Sequence, residues 1–316
     1  MNFPEELKKR TAFAEDVIKA YLPAEEGYQK NIMEAMNYSV LAGGKRLRPL
    51  MMYETYRLFG GDGEVIKPFM AAMEMIHTYS LVHDDLPAMD NDEYRRGKLT
   101  THAKYGHAMG VLAGDGLLNL AFETAASAFE CGAAKQCGAG EDTGKMSGSA
   151  AGEADMLRIA GALQILAKKA GIYGMIGGQV VDVQSSGHQI EKERLDFIYE
   201  LKTGALLEAS MMVGAVLAGA SKEEVHTIEQ VASDVGLAFQ IRDDILDVTS
   251  TLETLGKPIH SDDKNEKTTY VTLKGLEQAS ADVEEISERA LTRLKSLPYE
   301  NEFLTELIKS LIYREK

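Results

Sequence analysis

Apolar residues recur every three to four positions along most of the chain, which is the period of a helix with a buried face. The pattern predicts helices at 5–21, 32–41, 49–59, 65–83, 110–129, 154–171, 195–220, 225–248 and 278–297. Strand-like alternation around an Asn-Gly or Asp-Gly turn is missing, and only seven prolines interrupt the chain. We therefore predict an all-α protein without a sheet.

Two irregular stretches separate these helices. Residues 131–153 are rich in Gly, Ser and Ala and too poor in large apolar residues to order themselves, which predicts a flexible surface loop. Residues 249–269 carry Lys257, Lys264 and Lys267 shortly after an aspartate cluster, as a flap over a phosphate would. Candidate site residues lie on both sides of the first loop, so we predict one domain over residues 1–316.

Composition and charge narrow the function classes. Hydrophobic residues make up 45% of 316 residues, enough for a substantial core. The net charge of −15 disfavours a nucleic-acid partner, and an anionic substrate would need a local basic cluster. The two cysteines, Cys131 and Cys137, lack the spacing of a metal or redox pair.

The start of the chain has no apolar signal core, and the apolar stretch 205–220 is short and interrupted by Glu208. We expect a cytoplasmic protein without a membrane span.

Two aspartate clusters end apolar helical runs and are the most informative polar feature of the chain. Burying unpaired carboxylates is costly, and several hard cations would remove that cost. Mg²⁺ prefers carboxylate oxygens and usually shares its coordination shell with substrate phosphates. A solvated acidic helix face is the alternative for a single cluster. Together the two clusters predict a magnesium–diphosphate site between two helices. The site would be formed by Asp84, Asp85 and Asp90 (DDLPAMD) and by Asp243, Asp244 and Asp247 (DDILD).

The spacing within each cluster predicts how its carboxylates are presented. Asp243 and Asp247 are four residues apart and share one helical face with Gln240, which lies one turn earlier. Asp84 and Asp90 would point apart on a regular helix.

A proline resolves the spacing of the first cluster. Pro87 ends or kinks the helix, so that Asp90 can turn back toward Asp84. His77 lies two turns before Asp84 and is either a further ligand or a satisfied, partly buried histidine.

Basic and hydroxyl groups could hold the diphosphate oxygens. The string GGKRLRP at 43–49 combines glycines, which let backbone approach a ligand, with Lys45, Arg46 and Arg48. Arg95 and Arg96 follow the first aspartate cluster. Ordinary surface charge is the alternative for each group.

Two further motifs lie within apolar runs. Lys202 and Thr203 precede a glycine in a buried-looking helix and could face the same cavity. Gly177 and Gly178, just before Gln179, are more typical of close helix packing than of a site.

The motifs together resemble the trans-isoprenyl diphosphate synthases, most closely the bacterial farnesyl diphosphate synthases. They stand in family order over roughly residues 40–270 as GGKRLRP (43–49), HTYSLVHDDLPAMDNDEYRRGKLTTH (77–102), AGDGLL (113–118), GGQVVDV (177–183), LKTGALLEAS (201–210) and GLAFQIRDDILDVTSTLETLGK (236–257). The chain departs from the family in its longer 131–153 loop and in Arg242, where glutamine is common.

The resemblance implies a fold, an activity and a set of site residues. The fold is a bundle of about ten or more long helices around a deep central cavity, in a homodimer. The activity is a condensation of isopentenyl diphosphate with dimethylallyl or geranyl diphosphate, dependent on Mg²⁺, with three ions at the diphosphate. By position, the isopentenyl diphosphate site would comprise Lys45, Arg48, His77 and Arg96, and the allylic site Arg95, Lys202, Thr203, Gln240 and Lys257, with Lys267 nearby. The metal ligands would be Asp84, Asp90 and Asp243, with Asp85 and Asp247 supporting.

Product length should depend on the room beside the helix that carries the first aspartate cluster. Tyr79 and Ser80 lie five and four residues before Asp84. In the resembling family both positions form the cavity floor, and an aromatic residue at Tyr79 is associated with a C15 product. We therefore predict farnesyl diphosphate, with a plain core tyrosine as the alternative.

Four other functions remain open. They are a geranylgeranyl diphosphate synthase, a class I terpene cyclase, a non-catalytic partner subunit and a helical scaffold. A cyclase would not need the second basic cluster, and a non-catalytic subunit usually lacks one aspartate motif. A scaffold leaves the basic residues unexplained.

Overall fold

The computed structural model describes residues 1–130, 150–249 and 268–312, most of them helical, which confirms the predicted all-α class. The helices are α1 (Phe3–Ala20), α2 (Lys30–Val40), α3 (Leu47–Leu58), α4 (Ile66–Asp84), α5 (Thr101–Tyr105), α6 (His107–Ala126), α7 (Ala150–Ala170), α8 (Met175–Ser185), α9 (Lys192–Ile198), α10 (Ala205–Ala218), α11 (Lys222–Thr249), α12 (Tyr270–Lys274), α13 (Leu276–Lys295) and α14 (Glu302–Ile312). A π-helical turn, Tyr199–Gly204, joins α9 to α10.

Helix α4 is buried along most of its length and ends at the first aspartate cluster. Phe69, Met70 and Met73 are fully shielded from solvent, and each such side chain contributes about 1.5–3 kcal/mol by burial. The helix packs against α3 and α6. A Cβ added at Gly114 of α6 would lie 2.0 Å from Nε2 of His83, so glycine permits this close approach. The packing therefore fixes the end of α4 that carries Asp84.

Helix α10 confirms the interpretation of the apolar stretch 205–220 as a buried helix. It is buried on almost every side and contacts α3, α7 and α11. A Cβ at Gly214 would lie 2.3 Å from the carbonyl oxygen of Met52, so the two backbones are nearly in contact. The stretch Lys192–Ala218 is long and apolar enough to cross a membrane, but 72% of its most apolar window is buried within the protein, as in many core helices.

The long helix α11 is tied to its neighbour by a buried ion pair. Asp234 is 6% exposed and accepts hydrogen bonds from Arg289 and Arg293 of α13, with 2.7 Å between its Oδ1 and Nη2 of Arg289. Two cations shared by one carboxylate compensate its burial. This tie holds α11, whose far end carries the second aspartate cluster.

The structure corrects the predicted absence of a sheet. Strands β1 (Tyr94–Arg95) and β2 (Lys98–Leu99) form a short antiparallel ladder. Their turn places Arg96 at φ 52° and Gly97 at φ 73°, the left-handed backbone that two-residue hairpins require. An Arg-Gly pair fills the turn instead of the Asn-Gly or Asp-Gly pair that signals such hairpins, and the strands are too short to alternate.

Helix boundaries also differ from the prediction. Helix α7 begins at Ala150, so the predicted loop 131–153 is wrong at its last four positions, and its remainder lies outside the described residues. The predicted helix 195–220 contains the π-turn Tyr199–Gly204, which includes Lys202 and Thr203. Helices α5, α8, α12 and α14 were not among the predicted ranges. The single domain over 1–316 stays a prediction.

Candidate active site

The first aspartate cluster lies where α4 ends. The backbone N–H of Asp90 donates to the carbonyl oxygen of Asp84 at 2.8 Å, so the chain turns back after Pro87 as predicted. The Asp84 carboxyl accepts a hydrogen bond from Nε2 of Gln179 at 2.9 Å. Burial raises the pKa of Asp84 to about 6, although the nearby ammonium of Lys202 lowers it. The surroundings of Asp84 therefore compensate only part of the cost of burying its carboxylate.

Asp85 has a different task from Asp84. It is 3% exposed, and its Oδ1 accepts from both Nε and Nη2 of Arg95, each at 2.7 Å. The pKa of Asp85 is raised by burial, against the lowering effect of Arg95. Asp85 thus fixes the guanidinium predicted for the allylic site, and its supporting role at the metal stays a prediction.

The second aspartate cluster opens into a cavity of about 220 Å³. The cavity is lined by five residues predicted for the allylic and metal sites, namely Lys202, Thr203, Gln240, Asp243 and Asp247. Two elements bring them together: the π-turn presents the first two, and one face of α11 presents the others, as the spacing predicts. Asp244 also borders this cavity, but its Oδ2 accepts from Oη of Tyr199 and from the backbone N–H of Tyr270.

Helix α8 links the two clusters through residues that the sequence analysis did not assign to the site. Gln179 contacts Asp84, and one turn later Asp182 pairs with Nζ of Lys202 at 2.5 Å. A Cβ at Gly178 would lie 2.3 Å from the backbone N of Lys202, which confirms the close packing predicted for these glycines. The string GGQVVDV within the resembling motifs was the available signal for both polar residues. The aspartates of the first cluster do not line the 220 Å³ cavity, so the connection runs through α8 and Lys202.

A second, larger cavity of about 930 Å³ has a basic rim. It is lined by all four residues predicted for isopentenyl diphosphate, namely Lys45, Arg48, His77 and Arg96. The volume is in the range of small-molecule sites. His77 therefore lies with the basic residues and not beside Asp84.

The electrostatics of this cavity favour an anion. Burial lowers the pKa of Arg48 to about 10, so the residue stays cationic at neutral pH, and its Nε has no hydrogen-bond partner among the described residues. Burial, and next the charge of Arg48, hold the pKa of His77 well below its usual range, so His77 is neutral. Nη1 of Arg48 lies 3.4 Å from Nε2 of His77.

Arg46, in the same basic string, is a core residue. It is 3% exposed, its Nη1 donates to Oε1 of Glu74 at 2.6 Å, and its Nη2 donates to the carbonyl oxygen of Val40. This pairing compensates two buried charges and anchors the turn before α3.

Arg96 depends on the glycines of that string. Its Nη1 donates to the carbonyl oxygen of Gly43, and a Cβ at Gly44 would lie 2.7 Å from the same nitrogen. Glycine therefore makes room for the guanidinium, as well as supplying a backbone at φ 143°.

Tyr79 and Ser80 lie on α4 ahead of the first aspartate cluster. Tyr79 is 5% exposed, its ring meets that of His83 edge-on at 5.8 Å, and its hydroxyl has no hydrogen-bond partner in the described part of the chain. Burial raises the pKa of Tyr79 to about 12. The Ser80 hydroxyl donates to the carbonyl oxygen of His77 at 2.9 Å. Neither residue lines the two larger cavities.

The described residues suit magnesium held jointly with a substrate. Across residues 1–130, 150–249 and 268–312, no three His, Cys, Asp or Glu side chains converge into a complete metal cage. Mg²⁺ is usually held by one or two carboxylates with phosphates and waters, so a complete cage is not needed. A bound cation would also offset the burial that raises the pKa of Asp84. Lys257 and Lys267 lie outside the described residues.

Comparisons with known proteins point to one family. The sequence pattern of the polyprenyl synthetase family matches residues 29–304. The chain is 41% identical over 270 residues to a farnesyl diphosphate synthase of Geobacillus stearothermophilus, covering 85% of this chain and 84% of the relative. It is 44% identical over 265 residues to a chloroplastic geranylgeranyl pyrophosphate synthase of Capsicum annuum, covering 84% and 66%.

Solved structures of prenyl synthases also resemble this chain. An FPP/GFPP synthase of Zymomonas mobilis superposes with a TM-score of 0.78 at 30% identity, covering 99% of this chain and 98% of that one. A geranyltransferase of Helicobacter pylori, solved with magnesium and isoprenyl diphosphate, has a TM-score of 0.77 at 30% identity, covering 99% and 97%. With this fold, this sequence match and these two polar cavities, the chain is a prenyltransferase of the polyprenyl synthetase family.

Proposed function

We propose that the protein condenses isopentenyl diphosphate with dimethylallyl or geranyl diphosphate, depends on Mg²⁺, and releases farnesyl diphosphate. The observation that carries the proposal is the division of polar groups between two cavities. Asp243, Asp247 and Lys202 are among the residues that line the first cavity. Lys45, Arg48 and Arg96 are among those that line the second, where the carboxylate of Glu74 is paired with Arg46. A metal-bound diphosphate suits the first cavity, and a diphosphate bound directly by cations suits the second.

The first step is cleavage of the allylic C–O bond, which leaves an allylic cation and pyrophosphate. Asp84, Asp90 and Asp243 would hold magnesium, which supplies positive charge to the leaving oxygens when bound. The ammonium of Lys202 adds a donor fixed in place by Asp182. Donors placed in advance in this way can each lower a barrier by about 3–4 kcal/mol. The Thr203 hydroxyl can stabilise the allylic cation by its dipole.

The second step joins the two substrates. Lys45 and Arg48 hold the diphosphate of isopentenyl diphosphate, and neutral His77 can donate a hydrogen bond to it. The double bond attacks the allylic cation, a C–C bond forms, and the proton lost from the adjacent carbon passes to pyrophosphate. Because the cation reacts with any nucleophile, the cavity must exclude water.

The product length rests on Tyr79. Its buried ring lies on the helix that ends at Asp84, where a growing prenyl tail would run toward the core. The names of the relatives do not decide between C15 and C20, because farnesyl and geranylgeranyl synthases occur at similar identity.

One assay tests the function. The purified protein is incubated with Mg²⁺, isopentenyl diphosphate and either allylic starter, and the dephosphorylated products are separated by chromatography. We expect farnesol as the main product and none after EDTA treatment. Geranylgeraniol would identify the C20 alternative, and a cyclic hydrocarbon would identify a cyclase. The absence of any product would indicate a partner subunit or a scaffold.

Two variants of Tyr79 test whether its ring limits the length of the product. Tyr79→Ala removes the ring and should shift the product to C20 or longer, because the tail gains volume toward the core. Tyr79→Phe keeps the ring and should retain the C15 product. An unchanged C15 product from Tyr79→Ala would remove Tyr79 from this role.

We also propose that the protein is a cytoplasmic homodimer, as the resemblance implies. Sedimentation of the purified protein tests the oligomeric state, and a monomeric mass would contradict it.

A further inference from the structure

We propose that Asp244, in the middle of the second aspartate cluster, is a positioning residue that sets the π-turn carrying Lys202 and Thr203 against α11. Its motif makes Asp244 one of six carboxylates predicted to surround the cations. The inference rests on the proposed function, since it concerns how the allylic diphosphate is held.

The contacts of Asp244 carry the inference. Its carboxylate is 7% exposed, and Oδ2 accepts two hydrogen bonds, from Oη of Tyr199 at 2.6 Å and from the backbone N–H of Tyr270 at 2.7 Å. The two donors come from elements 45 and 26 residues away in the chain. One oxygen therefore joins three elements: α11, the π-turn and the start of α12.

The position of Tyr199 shows which residues the hydrogen bond to Asp244 can orient. Tyr199 is the first residue of the π-turn and is 7% exposed, and Lys202 and Thr203 follow within the same turn. A π-turn has a looser backbone ladder than an α-helix and is commonly found at functional sites. A tertiary hydrogen bond at its start therefore helps to define where the ammonium and the hydroxyl point.

Asp244 also fixes the other side of the cavity. It is adjacent to Asp243, so a bond from Asp244 to the π-turn sets the rotation of α11 relative to that turn. The hydrogen bond of Asp244 to Tyr199 thereby helps to set the distance between the Asp243 carboxylate and the Lys202 ammonium. Effective positioning of this kind matters because small displacements of catalytic groups cost large factors in rate.

The test compares the two ends of the hydrogen bond. Asp244→Asn weakens the acceptor, Tyr199→Phe removes the donor, and a double variant removes both. Tyr56→Phe is the matched control, because Tyr56 is 5% exposed and its hydroxyl accepts from the backbone N–H of Gly63 at 3.0 Å, away from the cavities described above. The readouts are kcat, the KM for each substrate, calorimetric binding of inorganic pyrophosphate with Mg²⁺, and the thermal unfolding midpoint.

We expect Tyr199→Phe to lower kcat about tenfold and to raise the KM for geranyl diphosphate, because even a small displacement of Lys202 and Thr203 misplaces the groups that hold the allylic diphosphate. The KM for isopentenyl diphosphate should change much less, since Lys45, Arg48 and Arg96 lie outside α11 and the π-turn. Asp244→Asn should behave alike, and the double variant should be no worse than Asp244→Asn. Pyrophosphate binding should weaken in parallel, and Tyr56→Phe should match the unmodified protein.

Two results would overturn the inference. If Tyr199→Phe behaves like the Tyr56→Phe control while Asp244→Asn is inactive, Asp244 acts on the metal or substrate directly. If both KM values rise together with a fall in the unfolding midpoint, the bond is only structural. An unmodified protein without prenyltransferase activity would refute the proposed function instead, and the pyrophosphate measurement would still test the positioning role.

Discussion

Replacing Asp84 by asparagine should stabilise the metal-free protein at neutral pH while abolishing its activity. Burial raises the pKa of Asp84 to about 6, above the value of about 3.9 for an aspartate in an unfolded chain. A group whose pKa is higher in the folded than in the unfolded state contributes its full stability only at pH values below the unfolded pKa. The benefit is lost as pH rises through the folded pKa of about 6. Each unit of difference corresponds to about 1.4 kcal/mol, so ionised Asp84 costs about 2–3 kcal/mol at pH 8.

Asparagine avoids this cost because it cannot ionise, and its side-chain oxygen can still accept the hydrogen bond from Gln179. We therefore expect the free energy of unfolding of Asp84→Asn to exceed that of the unmodified protein by about 2–3 kcal/mol at pH 8. Near pH 4 the difference should largely vanish, because Asp84 is then protonated in the fold. Urea unfolding in EDTA at several pH values measures both quantities.

A surface aspartate provides the control. Asp16 on α1 is exposed, and Asp16→Asn should change stability by less than about 0.5 kcal/mol at either pH. Adding Mg²⁺ with pyrophosphate should stabilise the unmodified protein by ligand linkage and Asp84→Asn much less. If Asp84→Asn is no more stable at pH 8, or its advantage is the same at pH 4, the carboxylate is not held at a cost for metal binding.

Three further variants test other parts of the molecule. Asp234→Ala should lower the free energy of unfolding by about 1–2 kcal/mol in urea titrations, because it removes hydrogen bonds of two partly exposed arginines of α13; an unchanged free energy of unfolding would contradict the tie between α11 and α13. Gly178→Ala should cut kcat at least tenfold, because its Cβ would push the backbone of Lys202 away. Gly161→Ala, whose Cβ would meet its nearest neighbour at 3.5 Å, should leave kcat unchanged. Arg48→Lys should raise the KM for isopentenyl diphosphate about tenfold without changing that for the allylic substrate, because a lysine cannot replace the guanidinium fork; equal changes in both would place Arg48 elsewhere.

Much of the fold and the composition of the site could be predicted from the sequence, because the relevant interactions are local. The three-to-four residue period reports which face of a helix is buried, and it located α4, α10 and α11. The spacing of Asp243, Asp247 and Gln240 placed them on one face of α11, where the cavity lies. The motifs in family order indicated the chemistry, and the matching family pattern over residues 29–304 confirmed it.

The partners of the charged residues could not be predicted in this way. Asp84 and Asp85 are neighbours in one motif, yet Asp84 meets Gln179 and Asp85 meets Arg95. Nothing in the local spacing distinguishes two adjacent aspartates, because the direction of each side chain is set by elements from other parts of the chain. The hairpin at Arg96 was missed for a similar reason, since strands of two residues have no alternation to detect.

The amino-acid sequence by itself determined most of the helices, the family and the residues that we propose for two diphosphates, because helical periodicity and motif spacing act within a few residues. Only the tertiary structure decided which charged residues line a cavity and which are paired within the scaffold. That division depends on burial and on partners such as Tyr199 for Asp244 and Glu74 for Arg46, which lie 45 and 28 residues away. Charges of the same type in the same motif thus acquire different tasks through long-range packing.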